Sequence, residues 1–171
     1  MKLETAKTQW YVFYTYPRAE KKVYLDLVFS GYDVFLPQIK TLNEWKNRQR
    51  KWIDKVLFPG YIFVNIHRDD ICRILMNPKV VSVIQNNGIP SVLNISEIER
   101  IQTIIQYGRN ISIEQHFLPG IKVRIMKGPF IGYEGILLCS NGKTRLRVEF
   151  QGMFQCVAID ISTDFLQVID N

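Results

Sequence analysis

Residue types that carry catalysis or bind metals are scarce in this chain. Only two histidines, His67 and His116, occur in 171 residues, and neither stands at metal-ligand spacing from a Cys, Asp or Glu. There is no GxGxxG, no P-loop and no GxSxG. Asp69-Asp70 is the one pair of neighbouring acids that invites attention, and it reads as a helix cap and dipole partner. The expectation is therefore no enzyme, no catalytic residue, no metal and no cofactor. The three cysteines, Cys72, Cys139 and Cys156, are odd in number and far apart. They exclude a disulfide framework and a CxxC zinc site, and they suit a reducing compartment. Apolar neighbours make each a small buried hydrophobe. No apolar run approaches the roughly 20 residues that cross a bilayer. Residues 1–9 are polar, so no secretory leader is expected. Repeats and low-complexity tracts are missing too. The starting point is a soluble, cytoplasmic protein.

What is present is the composition of a folded protein: 47% hydrophobic and 22% charged residues. Lys and Arg exceed Asp and Glu by 22 to 16, for a net charge of +6, which favours an anionic partner. The excess is concentrated. Residues 40–55 hold Lys40, Lys46, Arg48, Arg50, Lys51 and Lys55 against Glu44 and Asp54. That stretch lacks apolar periodicity and reads as a long, partly exposed hairpin or arm.

The periodicities give the rest of the organisation. QWYVFYT (residues 9–15) is a strand by its aromatic and β-branched content. Trp10, Val12 and Tyr14 point one way and Tyr11 and Phe13 the other, so both faces are apolar. A helix follows, with Thr15 as cap, Pro17 in its first turn and an apolar stripe of Ala19, Val23, Tyr24, Leu27 and Val28. Residues 33–36 form a short strand, and VLFPGYIFVNI (residues 56–66) places a Pro-Gly break before another. Asp69 caps a short helix through Met76, and residues 79–84 are a strand. Ser96-Glu97-Ile98-Glu99 is a capping box for a helix carrying Ile98, Ile101, Ile104 and Ile105. Residues 109–119 have no strong pattern and read as a linker. Beyond them come five short strands with an Asn141-Gly142 hairpin turn, the pattern of a small β-barrel. Gly128, Gly132 and Gly135 read as loop residues with positive φ.

Three features carry chemistry. Arg18, Lys21 and Lys22 sit at a helix start, where phosphate is welcome; the alternative is a solvated face. Trp45 and Trp52 interleave with Lys46, Arg48, Arg50 and Lys51, a mixture suited to nucleic acid by charge and stacking; the alternative is a hairpin made soluble by its charges. Tyr11, Phe13, Tyr14, Phe58, Tyr61 and Phe63 exceed one small core's needs, so some belong to a partner surface.

Two stretches resemble a known family. LFPGYIFV (residues 57–64), preceded by WYVFY, resembles the N-terminal domain of the NusG family of transcription elongation factors. GIKVRIMKGPFIGYEGIL (residues 120–138) resembles a KOW motif, with Gly128, Pro129, Phe130 and Gly132 as its loop. The resemblance implies an α+β chain: a NusG-type α/β sandwich with an antiparallel sheet and flanking helices over residues 8–108, a linker at 109–119, and an SH3-like KOW β-barrel over 120–171. It also implies an apolar patch that docks on the clamp helices of the RNA polymerase largest subunit, with Tyr14, Phe58, Tyr61, Phe63, Ile98 and Ile101 in it. Arg18, Lys21, Lys22, Lys46, Arg48, Arg50, Lys51 and Lys79 are the expected contacts to upstream or non-template DNA. The KOW barrel is expected to recruit a further protein, Rho or a ribosomal protein, and the chain to act as a monomer without a membrane. The short chain and marked basic arm look like a specialised paralogue, RfaH-like or an antiterminator of capsular polysaccharide operons. The relatives' polar gate-loop motif is not matched; Ile71-Cys72-Arg73-Ile74 stands there. The Val-, Ile- and Gly-rich C-terminal segment favours the barrel over a helical alternative. A competing class is a ribosome-associated KOW-type RNA-binding protein.

Overall fold

The computed structural model describes residues 7–44, 50–114, 120–140, 143–150 and 155–169. The chain forms two compact units, Met1–Ile95 and Ser96–Asn171. In chain order the first carries β1 (Gln9–Thr15), α1 (Glu20–Phe29), β2 (Asp33–Phe35), β3 (Gln38–Glu44), β4 (Arg50–Val56), β5 (Tyr61–Ile66), a 3-10 turn (Arg68–Asp70), α2 (Ile71–Leu75) and β6 (Val80–Val83). Three two-residue strands follow: β7 (Gln85–Asn86), β8 (Ile89–Pro90) and β9 (Val92–Leu93).

The sheet of the first unit is antiparallel and built around β1. One edge of β1 pairs with β5 in a register running from Gln9↔Ile66 to Tyr14↔Tyr61. Its other edge takes β6 and β9, and β2 completes the sheet beyond β5. Tyr11, Phe13, Ile62, Val64 and Ile66 pack with Val23 and Leu27 of α1 and Ile71 and Ile74 of α2. The opposite parity, Val12 and Phe63, is equally unexposed. Burial on both faces explains why these strands read as continuous apolar runs instead of alternating. β3 and β4 form a separate two-stranded hairpin.

Local signals are corrected at three helix starts. Thr15 does not cap α1. It is the buried last residue of β1, and its hydroxyl donates to the Tyr16 carbonyl. Arg18 takes a left-handed conformation (φ 65°) that the helix cannot include, so α1 begins after Ala19 without a side-chain cap. Asp69 belongs to the 3-10 turn, and the Asp70 carboxylate pairs with Arg73 at 2.8 Å instead of capping α2. Ser96 lies inside the next helix, α3 (Ile95–Tyr107), and so cannot be the N-cap that pairs with Glu99 in a capping box; Glu97 pairs with Arg100 at 3.0 Å. Cys72 is exposed, not buried, because it lies on the outer side of α2 while Ile71 and Ile74 face inward. Cys156 is buried as expected.

After α3 the second unit carries β10 (Ser112–Glu114), β11 (Ile121–Ile125), β12 (Glu134–Ser140), β13 (Lys143–Glu149), β14 (Cys156–Asp160), a 3-10 turn (Thr163–Phe165) and β15 (Leu166–Val168). They form one antiparallel sheet in the order β10-β14-β13-β12-β11-β15. Its core holds Val123, Ile125, Phe130, Leu146, Val148 and Val157. Ser140 pairs with Lys143; Asn141 and Gly142, the expected turn, lie outside the described residues. Ser112–Glu114, read as linker, instead pair with β14. Three residues are too few to show an alternation, and the strand is set by its neighbour.

Candidate functional site

Of the aromatic residues singled out in the sequence, Tyr14, Tyr61 and Phe63 converge on one face of the first sheet with Phe58 against them, while Tyr11 and Phe13 lie on the other. Register places Tyr14 opposite Tyr61, Val12 opposite Phe63, and Phe35 opposite Phe63. Side chains directly opposite one another share a face, so Tyr14, Tyr61, Phe63 and Phe35 stand together. This is the face away from the one that packs α1 and α2. The Tyr14 and Tyr61 rings meet edge-on at 5.6 Å. Phe63 touches Phe35 at 5.9 Å and Phe58 at 6.1 Å.

Convergence does not make these rings an outward patch. Phe58 and Phe63 have no exposed surface and Tyr61 keeps 9%. Ile98 and Ile101 of α3 are buried as well. Tyr14 is the one member of the set that faces solvent, with 37% exposed. Burial pushes the Tyr61 phenol above its ordinary value of 10, and the neighbouring Tyr14 adds to the rise.

The turn that delivers Phe58 and Tyr61 is pinned from α1. The Glu20 carboxylate, buried, accepts the Gly60 N–H at 2.7 Å, and the Gly60 carbonyl accepts the Thr15 N–H at 2.8 Å. Gly60 has φ +83°, and a Cβ there would meet the Tyr14 ring at 2.6 Å. A side chain at position 60 would thus strain the backbone and displace Tyr14. The sequence reading missed Glu20. A charged residue on the inward stripe of a helix, in register with Val23 and Leu27 (i, i+3, i+7), was its available signal.

Two bonds tie the cationic stretches of this unit together. β1–β6 pairing brings Lys79 beside the start of α1, where its carbonyl accepts the Tyr16 N–H at 3.0 Å. Arg18, Lys21 and Lys22 are exposed there. The Lys21 ammonium donates to the main-chain carbonyl of Asp54 on β4 at 2.8 Å, which ties the start of α1 to the hairpin. On the hairpin, cross-strand Leu42 and Trp52 are both exposed. Arg50 pairs with Glu44 at 3.2 Å, an exposed ion pair that contributes little, and Lys51 and Lys55 are exposed. Lys46 and Arg48 lie outside the described residues, as does Trp45.

In the second unit, Gly128 and Gly132 adopt positive φ, 84° and 83°, as expected for the loop. Gly135 does not; it is small because β13 passes too close, with the Arg147 carbonyl and Leu146 side chain against its Cα. Phe130 of the loop is buried against Tyr133, so it holds the loop shape from inside, while Pro129 and Ile131 are exposed. Arg100 of α3 lies over Tyr133 and Phe150, 5.0 and 5.7 Å from the ring centres. Glu134 takes bonds from Arg124 and a Lys122 ion pair at 3.6 Å, and the Arg124 bond chiefly holds its carboxyl below the ordinary range. Among the described residues no group of His, Cys, Asp and Glu could hold a metal, and no helix is long and apolar enough to cross a membrane.

Comparison with known proteins gives this arrangement relatives. Residues 8–102 match the family described as "NusG: Transcription termination factor nusG". The transcription termination/antitermination protein NusG of Borreliella burgdorferi is 28% identical over 177 residues, covering 88% of this chain and 94% of that protein. The Streptococcus pyogenes protein of the same name is 28% identical over 165 residues, covering 88% and 91%. A solved structure of Thermotoga maritima NusG is similar with a TM-score of 0.60 and 19% identity, covering 96% of this chain and 98% of that one. The shared fold is the α+β arrangement of a NusG N-terminal domain followed by a KOW domain.

Proposed function

Because this chain belongs to the NusG family of transcription factors, we propose that it is an elongation and antitermination factor that clips onto RNA polymerase. The observation that carries this reading is the meeting of Tyr14, Phe58, Tyr61 and Phe63, from separate stretches, on one sheet face in a unit whose cationic stretches are tied together. The aromatic face docks on the clamp helices of the largest subunit. Tyr14 supplies the contact open to solvent, and Phe58, Tyr61 and Phe63 join it in an opened form. A central aromatic contact contributes about 2 kcal/mol or more once desolvated. Opening reduces the apparent affinity by the fraction of molecules that are open.

The cationic stretches, Arg18, Lys21, Lys22, Lys79 and the hairpin's Arg50 and Lys51, lie along upstream or non-template DNA. Attraction there is salt-dependent and largely indifferent to sequence. A factor that binds the closed, processive polymerase better than other forms holds it there by mass action. The KOW barrel recruits a second protein such as Rho or a ribosomal protein, through the exposed part of its loop. The chain acts as a monomer and serves particular operons. The test is capture of RNA polymerase by the tagged protein from its native cell, alongside Tyr14→Ala. Capture by the unaltered protein and several-fold weaker capture by the variant are expected. Equal capture by both removes the aromatic face from the docking site.

A further inference from the structure

Lys21 and Lys22 are adjacent cations at the same helix start, yet the structure treats them differently. Both are exposed. Lys22 has no ion pair to a described residue. Lys21 instead spends its ammonium on the main-chain carbonyl of Asp54, 33 residues away, at 2.8 Å. That bond is the described polar side-chain link between α1 and β4. The hairpin needs such a link. It is two-stranded, stands outside the main sheet, and an isolated two-stranded ribbon is marginally stable in water. A charge-assisted bond to a carbonyl on β4 also covers one of its free edge groups.

We propose that Lys21 is a positioning residue that bolts the β3–β4 hairpin to the first turn of α1, so that Lys22, Lys51 and Lys55 meet a nucleic-acid backbone as one surface. The proposal rests on the nucleic-acid contact argued above. Lys51 and Lys55 are on the bolted strand and flank Asp54 in sequence, so fixing Asp54 fixes both. A hairpin that swings freely loses conformational entropy each time it binds; a bolted one has lost it already. Lys21, grouped above with the cations along the nucleic acid, thus contributes through the hairpin's order and not as a phosphate ligand.

The test uses the full chain with Lys21→Met, Lys21→Arg and Lys22→Met. Amide exchange across residues 50–56 is measured in the free protein, and binding to a labelled single-stranded oligo-dT is measured across a salt series. Lys21→Met is expected to speed exchange in β4 several-fold, Lys22→Met to leave it unchanged, and Lys21→Arg to restore protection. Each lost phosphate contact lowers the magnitude of the salt slope by about 0.7 on a single strand. Lys22→Met should therefore lower it by about 0.7, and Lys21→Met by roughly 1.4, because Lys51 and Lys55 are lost together. Unchanged exchange in Lys21→Met, with a slope change equal to that of Lys22→Met, overturns the proposal and makes Lys21 an ordinary phosphate ligand. If the unaltered protein shows no salt-dependent binding, the nucleic-acid reading fails, and the hairpin's role falls with it whatever the exchange data show.

Discussion

Gly60 and Tyr14 show how little space separates a structural residue from a functional one. The Gly60 backbone at φ +83° lets the Tyr14 ring lie over it, and Glu20 holds its N–H. Gly60→Ala is predicted to destabilise the protein by about 1–3 kcal/mol in urea unfolding, through left-handed strain and the clash with the ring. Full stability in that variant means the turn can relax without loss. Phe58→Ala removes a ring with no exposure and is predicted to cost about 3–5 kcal/mol. Any loss of polymerase binding in that variant is therefore confounded with unfolding. Tyr14→Ala, at an exposed position, is predicted to keep stability within about 1 kcal/mol of the unaltered protein.

Tyr61 gives a pH signature at the same scale. Its phenol titrates above 10 in the folded chain and near 10 when unfolded. Between those values the folded state holds a proton that the unfolded state has released. The stability from this group is present below pH 10 and is lost as pH rises through the folded-state value. Tyr61→Phe has no phenol to ionise, so its stability is predicted to decline less steeply above pH 10. Parallel alkaline unfolding curves for the two proteins would show that the ring is solvated.

At the scale of the element, the hairpin departs most from what its composition suggests. A basic tract with two tryptophans reads as an arm, yet Arg50 is paired with Glu44 on the exposed Leu42–Trp52 side, and Lys51 and Lys55 have the opposite parity. Charge reversal at Lys51 and Lys55 together is predicted to weaken oligonucleotide binding at least tenfold at low salt, with convergence at high salt. A loss independent of salt would point to a folding defect. α2 is the shortest α-helix among the described residues, five residues long, and exists because Ile71 and Ile74 reach the core. An isolated helix of that length does not persist in water.

For the whole molecule, the controlling fact is that Phe58, Phe63 and nearly all of Tyr61 are withdrawn from solvent while Tyr14 is not. If docking needs an opened form, the observed rate of association with polymerase is predicted to level off as polymerase concentration rises, because opening becomes limiting. A rate that stays linear, with an association constant in the ordinary range of about 10⁵–10⁷ M⁻¹s⁻¹, means the face binds as it stands. Phe58, Tyr61 and Phe63 are then support beneath Tyr14 and not contacts.

Sequence by itself determined most of the elements and the family resemblance. Both depend on local chemistry: aromatic and β-branched runs make strands, helical spacing makes helices, and Gly128 and Gly132 need positive φ. It also put Phe58, Tyr61 and Phe63 in one motif around the Pro59-Gly60 break, whereas Tyr14, more than 40 residues earlier, reaches them only through the β1–β5 pairing. Only the tertiary structure decided which rings meet solvent, since exposure depends on residues distant in the chain. The same holds for Glu20, whose carboxylate finds its partner 40 residues away at Gly60. Lys21 could not be told from Lys22 by sequence, because the carbonyl that separates their roles belongs to Asp54 and is brought near by the fold alone.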